Sequence, residues 1–216
     1  MELILAISTS TFPFEVFLGN ENDLLFNSKE DTSLAENKDI GFFVTKALAA
    51  AQASVQDIKH IILDIGPGGT SVIRTGVAFG NSLAYSLKIP TYPVSTLEIL
   101  GMQVYAQQQI PVICTANSLK GQAYVGLFDK DKLVSLKYGL LETVVEEMTA
   151  EIPEFSVAGY HNEKIISLFP HKNIQDSGIK HKNAALLLEK KQLFLGRGLY
   201  FPHFANPITE QSIFVL

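Results

Sequence analysis

The strongest constraint on the fold is a three-strand pattern that occurs twice, with the second copy 109 residues after the first. Each copy has two short apolar runs, a polar turn and a third apolar run, which is the pattern of an antiparallel meander. The copies comprise residues 3–7, 14–18 and 24–26, and then residues 112–116, 123–128 and 133–136. Because few identities join them, two unrelated meanders are the alternative to a duplicated lobe.

Helical patterns follow each meander and alternate with further apolar runs. Residues 39–53, 71–87 and 95–108 are predicted helices, and residues 61–64 and 90–94 are predicted strands. Weaker helical patterns at 143–150, 161–168 and 181–190 follow the second meander. Alternating strands and helices are typical of α/β proteins. We therefore predict an α/β, two-lobe fold of the actin, Hsp70 and sugar-kinase kind, with lobes at 1–109 and 110–216.

In that architecture the turn between the first two strands of each lobe wraps nucleotide phosphates. It normally carries an Asp that positions Mg²⁺, because this hard cation prefers oxygen ligands. The corresponding positions here are Ser8 and Asn117, which are 109 residues apart and carry no charge. We therefore predict degenerate phosphate loops with no catalytic residue, no metal site and no cofactor, and leave residual nucleotide binding open.

A glycine-rich segment lies between the predicted strand at 61–64 and the helix that follows it. Gly66, Gly68 and Gly69 could form an anion site at the helix N-terminus. The segment lacks the Lys of a P-loop and the third glycine of a dinucleotide fingerprint, so a tight turn with positive φ is favoured. Asp64, just before the turn, is either a catalytic carboxylate or a strand-end acid, and the second interpretation is favoured.

Composition and spacing argue against several functional classes. Residues 1–100 hold 6 Lys and Arg against 11 Asp and Glu, which provides no basic stripe for nucleic acid. No two histidines have the i, i+4 spacing of a helical metal site. Cys114 is the single cysteine and is predicted to be a buried free thiol. No apolar run is long enough for a membrane span or a signal peptide, which predicts a cytoplasmic protein.

Residues 66–76 read Gly-Pro-Gly-Gly-Thr-Ser-Val-Ile-Arg-Thr-Gly. This segment resembles the G-P-G-S-F-T-G-V-R-x-G signature of the TsaB (YeaZ) family, bacterial proteins of tRNA threonylcarbamoyladenosine biosynthesis. Residues 94–97 match its V-S-T-L, and residues 117–124 resemble its D-A-R-x-G-E-V-Y. The chain departs from the family at Ser8, Asn117 and Leu119. The resemblance is dense over residues 1–128 and thin over 140–200.

The resemblance implies a non-catalytic scaffold or activator that dimerises with the paralogous enzyme TsaD, which transfers threonylcarbamoyl to adenosine 37 of tRNA. It also implies a TsaE-like ATPase in a larger complex and a weak homodimer of the chain alone. Strong direct tRNA binding and membrane association are not expected. A small-molecule kinase or ATPase of the same fold is the alternative, and it would require phosphate-loop carboxylates. A metallopeptidase would require a histidine pair.

The pairing helices of the resembled family correspond to the predicted helices at 39–53 and 71–87. The apolar arc of the second helix is roughly 160° wide, more than one core-facing side needs. We expect the two helices to offer a partner surface, with packing inside the chain as the alternative, and we expect Gly80→Glu to leave the fold intact. The predicted surface consists of Val44, Leu48, Gly76, Phe79, Gly80, Leu83 and Ala84.

Overall fold

The computed structural model describes residues 2–118 and 121–210. The strands are β1 (Leu3–Ser8), β2 (Glu15–Gly19), β3 (Leu24–Asn27), β4 (Ile58–Asp64), β5 (Thr91–Val94), β6 (Val112–Asn117), β7 (Gln122–Asp129), β8 (Lys132–Leu140), β9 (Glu154–Gly159) and β10 (Asn173–Asp176). The helices are α1 (Ile40–Ala50), α2 (Thr70–Leu87), α3 (Thr96–Gln108), α4 (Leu141–Met148), α5 (Asn162–Leu168), α6 (Leu186–Glu189) and α7 (Lys191–Leu195).

The first three predicted helices are confirmed to within a few residues. Asp39 caps α1 by accepting the Phe42 N–H at 3.3 Å, and Ser95 caps α3 by accepting the Leu97 N–H at 3.2 Å. The helix predicted over residues 181–190 is wrong, since only the four residues of α6 are helical there. Lys182 and Ala184 are both buried, and a spacing of two residues does not follow one helix face.

Two five-stranded sheets share one strand order. The orders are β3-β2-β1-β4-β5 and β8-β7-β6-β9-β10, each with an antiparallel meander extended by two parallel strands. The predicted α/β fold with two meander sheets is therefore confirmed. The 109-residue offset does not hold throughout the hairpins, because Val16 pairs with Ile7 whereas Val125 pairs with Thr115 rather than Ala116.

The predicted lobe bounds of 1–109 and 110–216 need correction. Of the described residues, 2–94 and 184–207 form one compact unit, and 95–118, 121–183 and 208–210 form the other. Helix α3 packs on the second sheet, where a Cβ on Gly101 would lie 2.2 Å from Phe128, so this glycine permits the close approach. Helices α6 and α7 pack on strands of the first sheet. Each sheet is therefore covered by a helix from the other half of the chain.

Each unit has its own apolar core. In the first, Leu5, Phe43 and Ile73 from β1, α1 and α2 are among the buried side chains. In the second, Val125 and Phe155 are buried together with residues of α4 and α5. Cys114 is a buried free thiol, as predicted, and burial raises its pKa. Within the described ranges, no helix has both the length and the apolar character needed to cross a membrane.

Candidate functional site

The carboxyl ends of β1 and β4 bring Ser8 and Asp64 together in the first unit. The two strands are parallel, and these two residues are paired in register. Both side chains are buried. The first predicted phosphate-loop position therefore lies directly beside the acid at the end of the neighbouring strand.

Asp64 accepts hydrogen bonds from the segments around it. The hydroxyls of Ser8 and Ser10 donate to its Oδ2 at 2.8 and 2.6 Å, and the Gly66 N–H donates to its Oδ1 at 3.0 Å. Short hydrogen bonds to a carboxylate are stronger than bonds between neutral groups. Asp64 is thus neither a free carboxylate nor an unpaired strand-end acid. It ties the β1–β2 loop to the turn that follows β4.

The glycine-rich turn is a tight turn of the kind predicted. Gly66 has a φ of 93°, a conformation that favours glycine. A Cβ on Gly68 would lie 2.4 Å from the carbonyl oxygen of Ser10, so this position needs glycine for close backbone approach. The turn and the β1–β2 loop are consequently packed against each other.

The β1–β2 loop also contacts helix α2. The Thr9 hydroxyl donates to the carbonyl of Val72 at 2.9 Å. A Cβ on Gly76 would lie 2.2 Å from the Thr9 Oγ1, so Gly76 makes room for the loop. Gly69 occupies the N-cap of α2 and provides no side-chain cap. The predicted Gly66, Gly68 and Gly69 thus belong to one local structure with Ser8.

Asp64 is the carboxylate at this edge of the sheet that a Mg²⁺ ion could use, because Mg²⁺ is usually bound through one or two carboxylates. Both Asp64 oxygens already accept hydrogen bonds from Ser8, Ser10 and Gly66. Across residues 2–118 and 121–210, no three His, Cys, Asp or Glu side chains are grouped as metal ligands.

The corresponding loop of the second unit is built differently. Asn117 ends β6, is exposed and has no acid paired beside it on β9, where the register ends at Thr115 and Gly159. The Ser118 hydroxyl lies 3.1 Å from both the Tyr138 hydroxyl and a Glu210 carboxylate oxygen. Leu119, one of the departures from the family motif, lies outside the described residues.

A tyrosine pair supports this second loop. The rings of Tyr124 and Tyr138 are 4.8 Å apart. Burial, with smaller contributions from Glu210 and Tyr138, raises the pKa of Tyr124 to about 12. Around this loop, Ser118 and Tyr138 supply hydroxyl groups and Glu210 supplies a carboxylate.

Four of the seven residues predicted for the partner surface are part of the first core instead. Val44, Gly76, Gly80 and Ala84 are buried. A Cβ on Gly80 would lie 2.4 Å from Leu63 of β4, so the small residues of α2 allow the helix to approach the sheet. Gly80→Glu would therefore disturb the fold, contrary to the expectation. The three that are partly exposed are Leu48, Phe79 and Leu83.

The sequence did not single out a surface cluster of aromatic rings in the first unit. Tyr85, Phe201 and Phe204 are all exposed, with ring centroids 6.2 to 6.5 Å apart. The cluster joins α2 to a segment near the end of the chain. Because Tyr85 is more than 110 positions from both phenylalanines, no local periodicity indicates its contact with them.

Two mixed sheets with the same strand order, each starting with a meander, define a protein of the two-lobe actin-like α/β class. Ser8, at the first of the predicted phosphate-loop positions, donates its hydroxyl hydrogen bond to Asp64 of the same chain. The family model described as "TsaD: tRNA N6-adenosine threonylcarbamoyltransferase" matches residues 30–200. This match covers more than half of the chain, and the chain belongs to that family.

Individual relatives confirm the TsaB (YeaZ) resemblance. The chain is 31% identical to the tRNA threonylcarbamoyladenosine biosynthesis protein TsaB of Bacillus subtilis, over 70% of this chain and 63% of the relative. It is 28% identical to the TsaB of Buchnera aphidicola (Schizaphis graminum), over 58% of this chain and 60% of the relative. These matches thus span less than two thirds of the curated relatives.

A solved structure shows the same fold over nearly the whole chain. It is that of an uncharacterised Pseudomonas aeruginosa protein with similarity to peptidase YEAZ. The TM-score is 0.71 at 21% identity, and the comparison covers 97% of this chain and 99% of the other. At this level of identity the similarity concerns the fold alone.

Proposed function

We propose that this chain is a non-catalytic partner subunit that binds a TsaD-type enzyme in the synthesis of threonylcarbamoyladenosine in tRNA. The observation that carries the proposal is the hydrogen bonding of Asp64 inside a TsaD-family fold. Phosphoryl transfer depends on positioned metal ions, and the acid best placed to position one is held by Ser8, Ser10 and Gly66. The relatives named for this biosynthesis support the pathway.

The outward side of α2 is the best candidate for the partner surface. Ser71, Thr75, Ala78, Ser82 and Tyr85 are exposed and follow one another at intervals of three or four residues, so they share one face. None of the five is charged. Centres of protein interfaces are depleted in charged residues, so these five residues suit such a centre, and the exposed Arg74 lies beside them on the same helix.

Helix α1 can extend this surface. Gly41 lies beside Phe79 of α2, with a built Cβ 3.8 Å from its ring, so the two helices are neighbours. Phe42 on α1 is 43% exposed. The proposed partner surface therefore combines Phe42 with the exposed stripe of α2, in place of the buried residues that the sequence suggested.

The test is complex formation with the TsaD-type protein of the same organism, measured by size-exclusion chromatography with light scattering. Ala78→Glu should keep the fold, as judged by circular dichroism, and abolish the complex, because a carboxylate would be buried unpaired in the interface. Ala150→Glu is the matched control, since Ala150 is also exposed but lies in the second unit. Binding by Ala78→Glu at the wild-type level would place the interface elsewhere.

The chain alone is proposed to lack enzyme activity and to need no cofactor. We further propose that tRNA contacts come from the partner, because the chain has a net charge of −5. We also propose that a TsaE-like ATPase joins a larger complex and that the chain alone forms a weak homodimer. The same light-scattering experiment tests both. Mg²⁺-dependent ATP hydrolysis by the isolated chain that is lost in Asp64→Asn, with the fold retained by circular dichroism, would favour the kinase or ATPase alternative.

A further inference from the structure

A second polar site lies in the other unit, at the end of β9. Gly159 ends this strand with a φ of 106°. The next two backbone N–H groups, of Tyr160 and His161, donate to the carbonyl and the hydroxyl of Thr115 at 3.1 and 3.0 Å. These bonds fix the backbone, so the following side chains project from a defined position.

Two polar atoms in this segment are buried without a hydrogen-bond partner. They are His161 Nε2 and Asn162 Oδ1, and Asn162 is only 2% exposed. The other amide atom of Asn162, Nδ2, donates to Asp176 at 3.0 Å and to the Ile179 carbonyl at 3.4 Å. Buried polar atoms are nearly always satisfied. The fixed Asn162 amide therefore presents an acceptor that lacks a donor.

A small cavity is lined by the residues of this segment. Its volume is about 180 Å³, room for about six waters at about 30 Å³ each. This is below the usual range for drug-sized ligands, so the cavity suits a ligand of a few heavy atoms. It is lined by Tyr160, His161, Asn162, Glu163, Lys164 and Lys180.

The cavity contains one cation that is free to bind an anion. Lys180 is paired with Glu163 at 2.9 Å. The Lys164 ammonium, in contrast, has no hydrogen bond or ion pair to the described part of the chain. Tyr160 is 64% exposed and lies edge-on against the His161 ring, with centroids 4.9 Å apart.

We propose that this cavity binds a small carboxylate with a hydrogen-bond donor, a hydroxyl or an ammonium group, on the adjacent carbon. Lys164 binds the carboxylate, and the donor group reaches Asn162 Oδ1 after the side chains that enclose this atom have moved. His161 Nε2 adds a second polar contact. The site is in the second unit and does not use the α2 surface, so its failure would leave the proposed partner function unaffected.

The experiment is an NMR titration of the full chain with three sodium or zwitterionic probes: lactate, alanine and propionate. Lactate and alanine differ from propionate by one hydroxyl or one ammonium group. At least one of them should shift the His161 and Lys164 signals saturably, with a dissociation constant in the millimolar range. Propionate should bind at least about tenfold more weakly, because it leaves the Asn162 acceptor unpaired.

Two lysine variants separate specific binding from charge screening. Lys164→Ala should weaken binding about tenfold, the factor expected for a lost charge-assisted hydrogen bond. Lys190→Ala, at another exposed lysine, should not change it. The proposal is overturned if neither lactate nor alanine gives saturable shifts, if propionate binds equally well, or if Lys164→Ala binds like the wild type.

Discussion

The two units close the same strand junction by different means. In the first, the Asp64 side chain on β4 accepts the hydroxyl of Ser8 on β1. In the second, Tyr160 N–H donates to the Thr115 carbonyl, and Gly159 lies so close that a Cβ would be 2.1 Å from that oxygen. A shared strand order thus does not imply a shared polar site: one junction depends on a side chain and the other on backbone contact.

The largest effect is expected for Asp64→Ala. The substitution leaves the hydroxyls of Ser8 and Ser10 and the Gly66 N–H without their acceptor in a buried site. Unsatisfied buried donors are costly, and we expect a loss of about 4 kcal/mol in unfolding free energy. Thermal unfolding followed by circular dichroism should show a fall in Tm of about 10 °C.

Asp64→Asn is the conservative control for this prediction. It retains one side-chain oxygen acceptor, so its loss should be about half as large. An Asp64→Ala protein with the wild-type Tm would show that the three hydrogen bonds do not hold the first unit together.

Gly159→Ala should have the next largest effect, in the second unit. A methyl group would collide with the Thr115 carbonyl, and the φ of 106° is unfavourable for alanine. Strain and overlap together should cost about 3 kcal/mol in urea unfolding.

Gly178→Ala is the control that separates the cost of a positive φ from the cost of the Gly159 contact with Thr115. Gly178 also has a positive φ, 68°, but nothing lies within 4 Å of a Cβ there. Its substitution should cost only about 1 kcal/mol. Equal losses in the two variants would contradict the close backbone contact that we assign to the second junction.

Gly80→Ala should destabilise the first unit by about 2 kcal/mol, because its Cβ would overlap with Leu63 in the core. Ala78→Glu on the exposed side of the same helix should stay within about 0.5 kcal/mol of the wild type. Urea midpoints of both variants check this pair. The reverse order would contradict the packing of Gly80 against Leu63 in the core.

The smallest expected effect is the pH dependence contributed by one histidine in each unit. Burial lowers the pKa of both His60 and His161 below the usual value. As the pH falls, the histidines of the unfolded chain are therefore protonated before those of the folded chain. The folded state is fully stable above about pH 6.5 and loses stability as the pH falls toward the lowered pKa values. Because both side chains are partly exposed, the change in unfolding free energy with pH should be smaller than the loss caused by Gly159→Ala or Gly80→Ala.

Urea midpoints at pH 7.5 and pH 5 measure this dependence. His60→Gln and His161→Gln should each reduce the difference between the two midpoints. A single variant that left the difference unchanged would show that its histidine titrates alike in the folded and unfolded chain.

The two three-strand meanders and the first three helices followed from local patterns, whereas β9 and β10 were not predicted. Apolar runs, the capping residues Asp39 and Ser95, and the glycine turn act over a few residues, so the sequence alone indicates them. The 109-residue spacing of the repeat indicated where the second meander lies in the sequence. These features predicted the fold class that the structure shows.

The polar sites could not be predicted in the same way. The contact of Ser10 with Asp64 joins residues 54 positions apart, and only the parallel register of β1 and β4 brings them together. The apolar stripe of α2 was misassigned because periodicity gives the width of an apolar face but not what covers it. Gly80 is buried by Leu63 of β4, and this contact depends on the tertiary structure.

The most direct test of the proposed role is a reconstituted transfer of threonylcarbamoyl to tRNA, measured by mass spectrometry of the nucleosides. The TsaD-type enzyme of the same organism is assayed with the other pathway components, with and without this chain. We expect modification to depend on the chain, to fail with Ala78→Glu and to persist with Ala150→Glu. Full modification without the chain, or modification by the chain without the enzyme, would contradict a non-catalytic partner subunit.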